Sequence, residues 1–336
     1  MRDWLHDLPK TELHVHLDGS LRPATIKKLA KKLPAELKFP RGFDPCKEMI
    51  PTGSGLEEYL QAFEVTVRLM QNVAALERIA YELCEDASAE NVTYIEVRFA
   101  PLLHTETGLK PRDVVTSVLA GLEAAEKDLP IRAALILTAL KQESTERSME
   151  VAQLAAQFAG KGVVAFDLAG PEKLNPSRIH RGAIDFVHAA SVNMTLHAGE
   201  ACCPEHIRES LDLGAHRIGH GTHLFEDKAT EQRVLEERIP LEVCPTSNLQ
   251  TSASIRSYAE HPFKRYFDLG IPVTLNTDNR LMSQVSLTDE YERIAEAHSL
   301  TKPDLVQIAR NGIEAAFCTG DVKEELRQTL ETFASG

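Results

Sequence analysis

Four short strings of this 336-residue chain bring imidazoles and carboxylates together: His14-Val15-His16-Leu17-Asp18-Gly19, His197-Ala198-Gly199-Glu200, Gly219-His220-Gly221 and Asn276-Thr277-Asp278-Asn279. His14 and His16 are two apart, so on a strand their rings share one face, with Leu13, Val15 and Leu17 on the other. Two neutral imidazoles aimed at one point suit a zinc or iron ion. Spacing alone equally allows a buried histidine pair bonded to backbone. His197 and Asp278 would complete a set of three nitrogens and one oxygen that leaves a position for water. Asp278 is in phase with Thr274 and Asn276, although it could instead cap the following turn. Glu200 follows His197 by three residues. A carboxyl partly desolvated beside a metal can keep its proton toward neutral pH and donate it; a solvated loop carboxylate is the other reading. His220 sits between two glycines, which let backbone and ligand approach closely. It can accept a proton from water or serve only as a supporting hydrogen bonder. A second metal would need a bridging group in Asp167-Leu168-Ala169-Gly170-Pro171-Glu172. That string has no lysine in register, so one metal is expected. His223 reads as structural, and His104, His206 and His216 as surface or packing residues.

These strings need elements to aim them. Short β-branched or apolar runs recur at residues 12–17, 93–99, 133–138, 163–168, 194–197, 217–219, 241–244 and 272–276. Helix-like spacers lie between them. Pro111 opens a segment with Val114, Val115, Val118, Leu119 and Leu122 at helical spacing. Pro204 opens another, and Ser286-Leu287-Thr288-Asp289 and Thr301-Lys302-Pro303-Asp304 read as helix starts. Strands alternating with helices imply parallel pairing. Eight such units favour a closed (β/α)8 TIM barrel of the α/β class, whose active site lies at the C-terminal strand ends. The four chemical strings fall at the ends of the first, fifth, sixth and eighth runs. The gap between the first and second runs is abnormally long. Segments 21–32, 56–70 and 74–89 look helical there, so residues of about 21–90 are expected to be inserted helices forming a lid over one barrel end. Extra helices should follow the last strand. Residues 1–336 are thus expected to form a single domain, with a linker to a second domain as the alternative.

Composition limits the partners. The chain is 43% hydrophobic and 26% charged, which fits a globular protein. Its longest apolar run, 133–140, is far short of the ~20 residues a bilayer needs. The net charge of −13 would repel polyanions, so neither nucleic acid nor membrane is an expected partner. The six cysteines, Cys46, Cys84, Cys202, Cys203, Cys244 and Cys318, include no CxxC pair. Without a recognisable export signal they read as reduced thiols of a cytoplasmic protein.

Taken together, the motifs make the chain similar to adenosine deaminases of the amidohydrolase superfamily. The strings that carry the resemblance are Pro9–Ser20, Tyr94–Pro101, Asp167–Gly170, His197–Glu200, Arg217–Gly221, Cys244–Asn248 and Leu275–Asp278, in the family's order across nearly the whole chain. The resemblance implies one zinc held by His14, His16, His197 and Asp278. It implies Glu200 as the acid that protonates purine N1, and His220 with Asp278 as the groups that orient and deprotonate the attacking water. It further implies substrate contacts from His16, from Asp18 to the ribose hydroxyls and from the Gly170 amide to N3. One position departs from the commonest pattern: Asn279 stands where many members have a second aspartate that bonds N7. N7 is an acceptor, and an asparagine amide can donate to it directly. The expected reaction is hydrolysis of adenosine and 2′-deoxyadenosine to inosine or deoxyinosine and ammonia, in purine salvage. The same chemistry on adenine or aminodeoxyfutalosine is the alternative, and a non-catalytic nucleoside- or metal-binding barrel a more distant one. An intact Glu200 argues against the last, because binding alone needs no acid.

Overall fold

The computed structural model describes residues 1–33, 38–39, 44, 55–252 and 254–336. Eight strands form one sheet in sequential order: β1 (Lys10–His16), β2 (Val92–Phe99), β3 (Arg132–Leu140), β4 (Val163–Ala169), β5 (Asn193–Ala198), β6 (Arg217–His220), β7 (Leu241–Val243) and β8 (Val273–Leu275). Every neighbouring pair is parallel. The seam between β8 and β1 is closed by backbone bonds from His16 N to Asp278 O (2.7 Å) and from Asp278 N to His14 O (3.0 Å). The Asn276 side chain adds a bond from Leu13 N to its Oδ1 at 2.8 Å. The result is a (β/α)8 barrel, and all eight expected strands are present.

Strand alternation explains which side chains meet. On β1, Leu13 and Val15 are fully buried in the apolar layer between sheet and helices. The residues in alternate phase turn inward, as the two-residue period requires. That inner column is polar in every strand: Glu12 and His14, Glu96 and Arg98, Thr138, Asp167, Thr195 and His197, Arg217, Glu242, and Thr274 are all buried. Barrels of this kind usually fill their interior with branched apolar residues. Here charged groups pair instead. Glu242 accepts from Arg98 (2.8 Å) and Arg217 (2.6 Å), Arg217 also reaches Glu96 (2.5 Å), and Arg98 lies 3.3 Å from Asp167.

Helices 23–32, 56–61, 63–69 and 73–88 occupy the long gap between β1 and β2. Pro111 and Pro204 occupy first-turn positions of their helices. Ser286 and Thr301 each form a reciprocal capping box, with Asp289 and Asp304 as the returning carboxylates. Three helices, 287–298, 302–315 and 320–335, follow β8. Gly312 permits the second of them to lie tight on β1, since a Cβ there would sit 2.1 Å from Thr11 Oγ1. Beyond that helix, Phe317 donates its N–H to Glu96 (2.6 Å), and Ala315 O accepts from Arg217 (2.9 Å), so this segment plugs the bottom of the barrel. No helix among the described residues is long and apolar enough to cross a membrane.

The thiol expectation is corrected at one point. Cys202 and Cys203 are joined by a disulfide between adjacent residues, while Cys84, Cys244 and Cys318 are free. Spacing rules pass over such a pair because the bridge closes within one tight turn. Cys46 lies outside the described residues.

Candidate metal centre and cleft

The C-terminal ends of β1, β5, β6 and β8 deliver their side chains to one point. His14 Nε2 is buried, makes no hydrogen bond, and lies 3.4 Å from Asp278 Oδ1. His16 Nε2 is 3.4 Å from the same oxygen and 3.2 Å from His197 Nε2. Four atoms bound tetrahedrally at zinc distances stand about 3.3 Å apart, so the observed separations fit a metal ion. His14, His197, His220 and Asp278 also present atoms within 4.8 Å of one another. Five side chains therefore crowd the centre. His16 is bracketed by His197 and Asp278, whereas His220 turns its Nε2 toward Glu200 Oε2, 3.7 Å away.

Outer partners fix each ring. Glu242 Oε2 holds His14 Nδ1 at 2.8 Å, Asp167 Oδ1 holds His197 Nδ1 at 3.0 Å, and Asn248 holds His220 Nδ1 at 2.9 Å. In the His14 and His197 rings Nδ1 donates to a carboxylate and Nε2 is left to face the centre, an arrangement typical of metal-binding histidines, whereas His220 Nδ1 accepts from the Asn248 amide nitrogen. Ser247 Oγ donates to Asp278 Oδ2 at 2.6 Å, which leaves Oδ1 for the imidazoles. Asp167 and Glu242 both lie well below the ordinary carboxylate range. Burial opposes this, but for Asp167 the charge of His197 and for Glu242 the charge of Arg98 win.

Backbone conformation completes the aiming. His220 (φ 65°) and Asp278 (φ 59°) both adopt the left-handed region, which is uncommon for residues with a Cβ. Such outliers persist only where the surroundings impose them. Here strand pairing on one side and the Asn248 and Ser247 bonds on the other do so. Gly170 (φ 112°) has no such latitude: a Cβ would come within 2.3 Å of Gln142 Oε1. Gly19 makes room for Asn279, whose Oδ1 would lie 1.7 Å from an added Cβ.

Glu200 lines the cleft just past β5 and is 5% exposed. Burial, then the negative charges of Asp278 and Glu172, push its carboxyl well above the ordinary range. Burial, then the charge of His14, holds His220 well below the ordinary imidazole range. The arrangement sets a proton-holding acid opposite a neutral imidazole and an ionised carboxylate. Such a pair of separated pKa values is the mark of an acid–base site.

Two adjoining cavities of about 40 and 130 Å³, which share lining residues, open from this centre. The inner one is walled by Leu56, Tyr59, Leu60 and Phe63 together with Gly170, Glu200, His220 and Asn279. The outer one shares His16, Leu60, Phe63 and Gly170 and adds Asp18, Leu103 and Gln142. Asp18 Oδ1 is buried and unpartnered, and Oδ2 is 3.8 Å from His104 Nε2. His104 is fully buried, so of the surface and packing readings it takes the second. His223 is structural as expected, bonded to Glu226 (2.8 Å) and Ser252 (3.2 Å). The site residues inferred from sequence gather in this one region, His14 in the cluster and the others on the cavity walls. The sequence reading passed over Asp167, Glu242, Ser247, Asn248, Lys141 and Glu172. Asp167 and Glu242 did carry a signal, as lone acids in inward phase within apolar strands. Ser247 and Asn248 lie in the Cys244–Asn248 string that carried the resemblance, though with no role attached, and Lys141 and Glu172 carried no signal.

A parallel barrel that converges imidazoles and a carboxylate on its C-terminal rim, with a buried acid alongside, is an enzyme-type barrel of the amidohydrolase kind whose cluster could hold a metal ion. Comparison with known proteins narrows this. Residues 9–333 match the family described as Adenosine deaminase. An adenosine deaminase of Clostridium perfringens is 42% identical over 97% of this chain and 99% of its own length. Among solved structures, an Arabidopsis N6-mAMP deaminase superposes with a TM-score of 0.90 at 31% identity, covering 99% of this chain and all of that one. An adenine deaminase of Arthrobacter aurescens gives the same TM-score at 25% identity, with 98% of this chain and all of that one covered. The chain belongs to the adenosine deaminase family and is a hydrolytic deaminase of adenosine-like substrates.

Proposed function

We propose that this protein removes the 6-amino group of adenosine and 2′-deoxyadenosine by hydrolysis, with one zinc ion per chain. The observation that carries the reading is the buried Glu200 set beside an imidazole–carboxylate cluster of zinc-compatible spacing. His14, His16, His197 and Asp278 would hold the ion. His16 is assigned in preference to His220 because its two separations fit a shared metal, while His220 faces Glu200. Bound there, zinc would lower the pKa of water from ~16 toward ~7. Iron would satisfy the same ligand types, and zinc content of the purified protein decides between them.

The remaining roles belong to the chain itself. Glu200 donates its proton to N1, which draws electron density from C6 and opens it to attack. His220 and Asp278 orient the attacking water and take its proton. The carbon so formed is tetrahedral; the proton taken from water passes to the amino group, which leaves as ammonia, and the C6 hydroxyl gives up its proton as the carbonyl forms, restoring the acid. The Gly170 amide contacts N3, Asn279 donates to N7, and Asp18 with His16 receives the ribose hydroxyls. The helices between β1 and β2 act as the lid, with Leu56, Tyr59, Leu60 and Phe63 as its inner wall. Excluding water there strengthens each of these contacts. The lid and barrel are read as one domain spanning residues 1–336.

The outer cavity favours a nucleoside over a nucleotide. Among the described residues no lysine or arginine lines it, and Asp18 adds a carboxylate to its wall, which disfavours a phosphate. Free adenine would leave Asp18 without a partner, and an unpaired buried carboxylate is unfavourable. The test is an ultraviolet assay of zinc-loaded protein on adenosine, 2′-deoxyadenosine, adenine, AMP and aminodeoxyfutalosine. Turnover of the two nucleosides well above the rest is expected. Turnover of adenine alone would overturn the nucleoside assignment, and inactivity on all five would overturn the reaction.

A further inference from the structure

Glu172 is a buried carboxylate, 2% exposed, whose charge acts on Glu200 but whose own hydrogen bonds have had no part in the account so far. It lies in the loop after β4, and both of its oxygens point into the neighbouring loop after β5. Oε2 accepts from Gly199 N at 2.8 Å; Oε1 accepts from Ala201 N at 2.9 Å and from Cys202 N at 3.2 Å. The three donors bracket Glu200 on both sides. A carboxylate cradled by successive backbone N–H groups is a strong anchor, since charge-assisted bonds are about twice as strong as neutral ones. The same loop is fastened twice more. Lys141 Nζ donates to His197 O at 2.6 Å, and His223 N donates to Gly199 O at 3.0 Å. Ile207 closes over Gly199, where a Cβ would meet its Cδ1 at 2.5 Å.

A catalytic group needs its position fixed to within roughly 0.5 Å, and loops hold position less well than strands. Glu200 lies beyond the last residue of β5, on such a loop. Lys141 and His223 bond to residues before Glu200. Glu172 alone among these three also bonds to residues after it. We infer that Glu172 is the positioning residue for Glu200, acting through the backbone of the Glu200 loop to keep that carboxyl aimed at the substrate ring. The inference rests on the reading of Glu200 as the acid at N1.

The test is a double-mutant cycle on the zinc-loaded full chain with Glu172→Gln, Glu200→Gln and the double variant. Gln keeps the size of Glu172 but replaces one acceptor with a donor facing the amides. Glu172→Gln is expected to lower kcat by ~10–100-fold, the scale for residues that orient active-site groups. KM for adenosine and the Kd for inosine should move by less than about threefold, because an acid aimed at N1 matters most when the ring is protonated. In the Glu200→Gln background the same change should lower kcat by less than about threefold, since nothing remains to aim. Glu172→Asp, which keeps the charge but shortens the reach, should fall between wild type and Glu172→Gln. Equal losses in both backgrounds would overturn the inference. So would unchanged kcat in the single variant, or loss of zinc or of cooperative unfolding in both Glu172 variants, each of which marks a purely structural group. Near-normal turnover by Glu200→Gln alone would instead overturn the reading of Glu200, a separate and visible result.

Discussion

The acid role proposed for Glu200 requires a carboxyl kept from ionising early, and burial beside other negative charge pushes Glu200 in that direction. Glu200→Gln should therefore retain zinc while kcat falls by ~10²–10⁴-fold, the usual contribution of a placed acid; metal analysis and steady-state kinetics on one preparation check both. Asn279 makes a different kind of contact. Its amide is buried against Gly19 at the cleft wall, and the proposed bond to N7 needs only a donor. Asn279→Ala is expected to raise KM for adenosine by ~5–30-fold with zinc content unchanged, as loss of one hydrogen bond in a closed site implies. The affinity for 7-deazaadenosine, which lacks the acceptor, should be the same in both proteins. Individual residues at this scale were legible where type and phase coincide, as for His14, His16, His197 and Asp278. Glu172 was not, because its partners are backbone amides some thirty residues away, and no side-chain pattern announces a backbone cradle.

At the scale of elements, a short helix ties the lower-profile residues to the site. Helix 245–251 presents Ser247 to Asp278 and Asn248 to His220. Its first turn is held by Glu290, whose carboxylate accepts from Thr246 N at 3.1 Å. Glu290 comes from helix 287–298, and burial pushes its carboxyl up to about 8 despite that bond. Its folded state thus holds a proton that the unfolded chain releases near 4.5. Between those values the native state binds more protons, so this group's contribution to stability falls as pH rises from about 4.5 to about 8. Glu290→Gln should flatten that slope and raise the urea midpoint at pH 8 relative to wild type; unchanged slopes across pH 5–8 would remove Glu290 from the account. The strands and helix caps themselves were readable, because period-two and period-3.6 patterns and the Ser286 and Thr301 boxes are local signals. The tie from helix 287–298 to helix 245–251 was not, since it joins side chain to backbone across 44 residues. The Cys202–Cys203 bridge escaped for the opposite reason, being too local for a spacing rule.

Over the whole molecule, the candidate metal centre is the top layer of a charged column that continues down the barrel. Glu242 is its hub, receiving His14, Arg98, Thr195 and Arg217 at once. Removing one partner from a buried charge network strands the others, so Glu242→Ala should destabilise the fold by ~3–5 kcal/mol. Denaturant titration of the metal-free protein reads that loss without the metal's contribution. Metal removal has its own signature. An ion that binds only the folded chain adds about 4 kcal/mol at a thousand times its Kd, so chelation should lower Tm and one equivalent of zinc should restore it. The net charge of −13 acts at this scale too. A neutral nucleoside is neither steered nor repelled by it, so kcat/KM for adenosine should be nearly flat with ionic strength, while any residual rate with AMP should rise with salt as repulsion is screened.

The closure of the barrel between β8 and β1 has a consequence in time. The two backbone bonds that join these strands use His14, His16 and Asp278, residues that also supply proposed ligands. The earliest and latest parts of the centre are thus stitched by the same bonds that shut the barrel. On a ribosome adding ~10 residues per second, roughly half a minute separates their synthesis. Until the later strand emerges, the growing chain holds the four histidines His14, His16, His197 and His220 without the Asp278 carboxylate, and no closed site. Chains that terminate early are therefore inert, and chemical competence arrives together with completed topology.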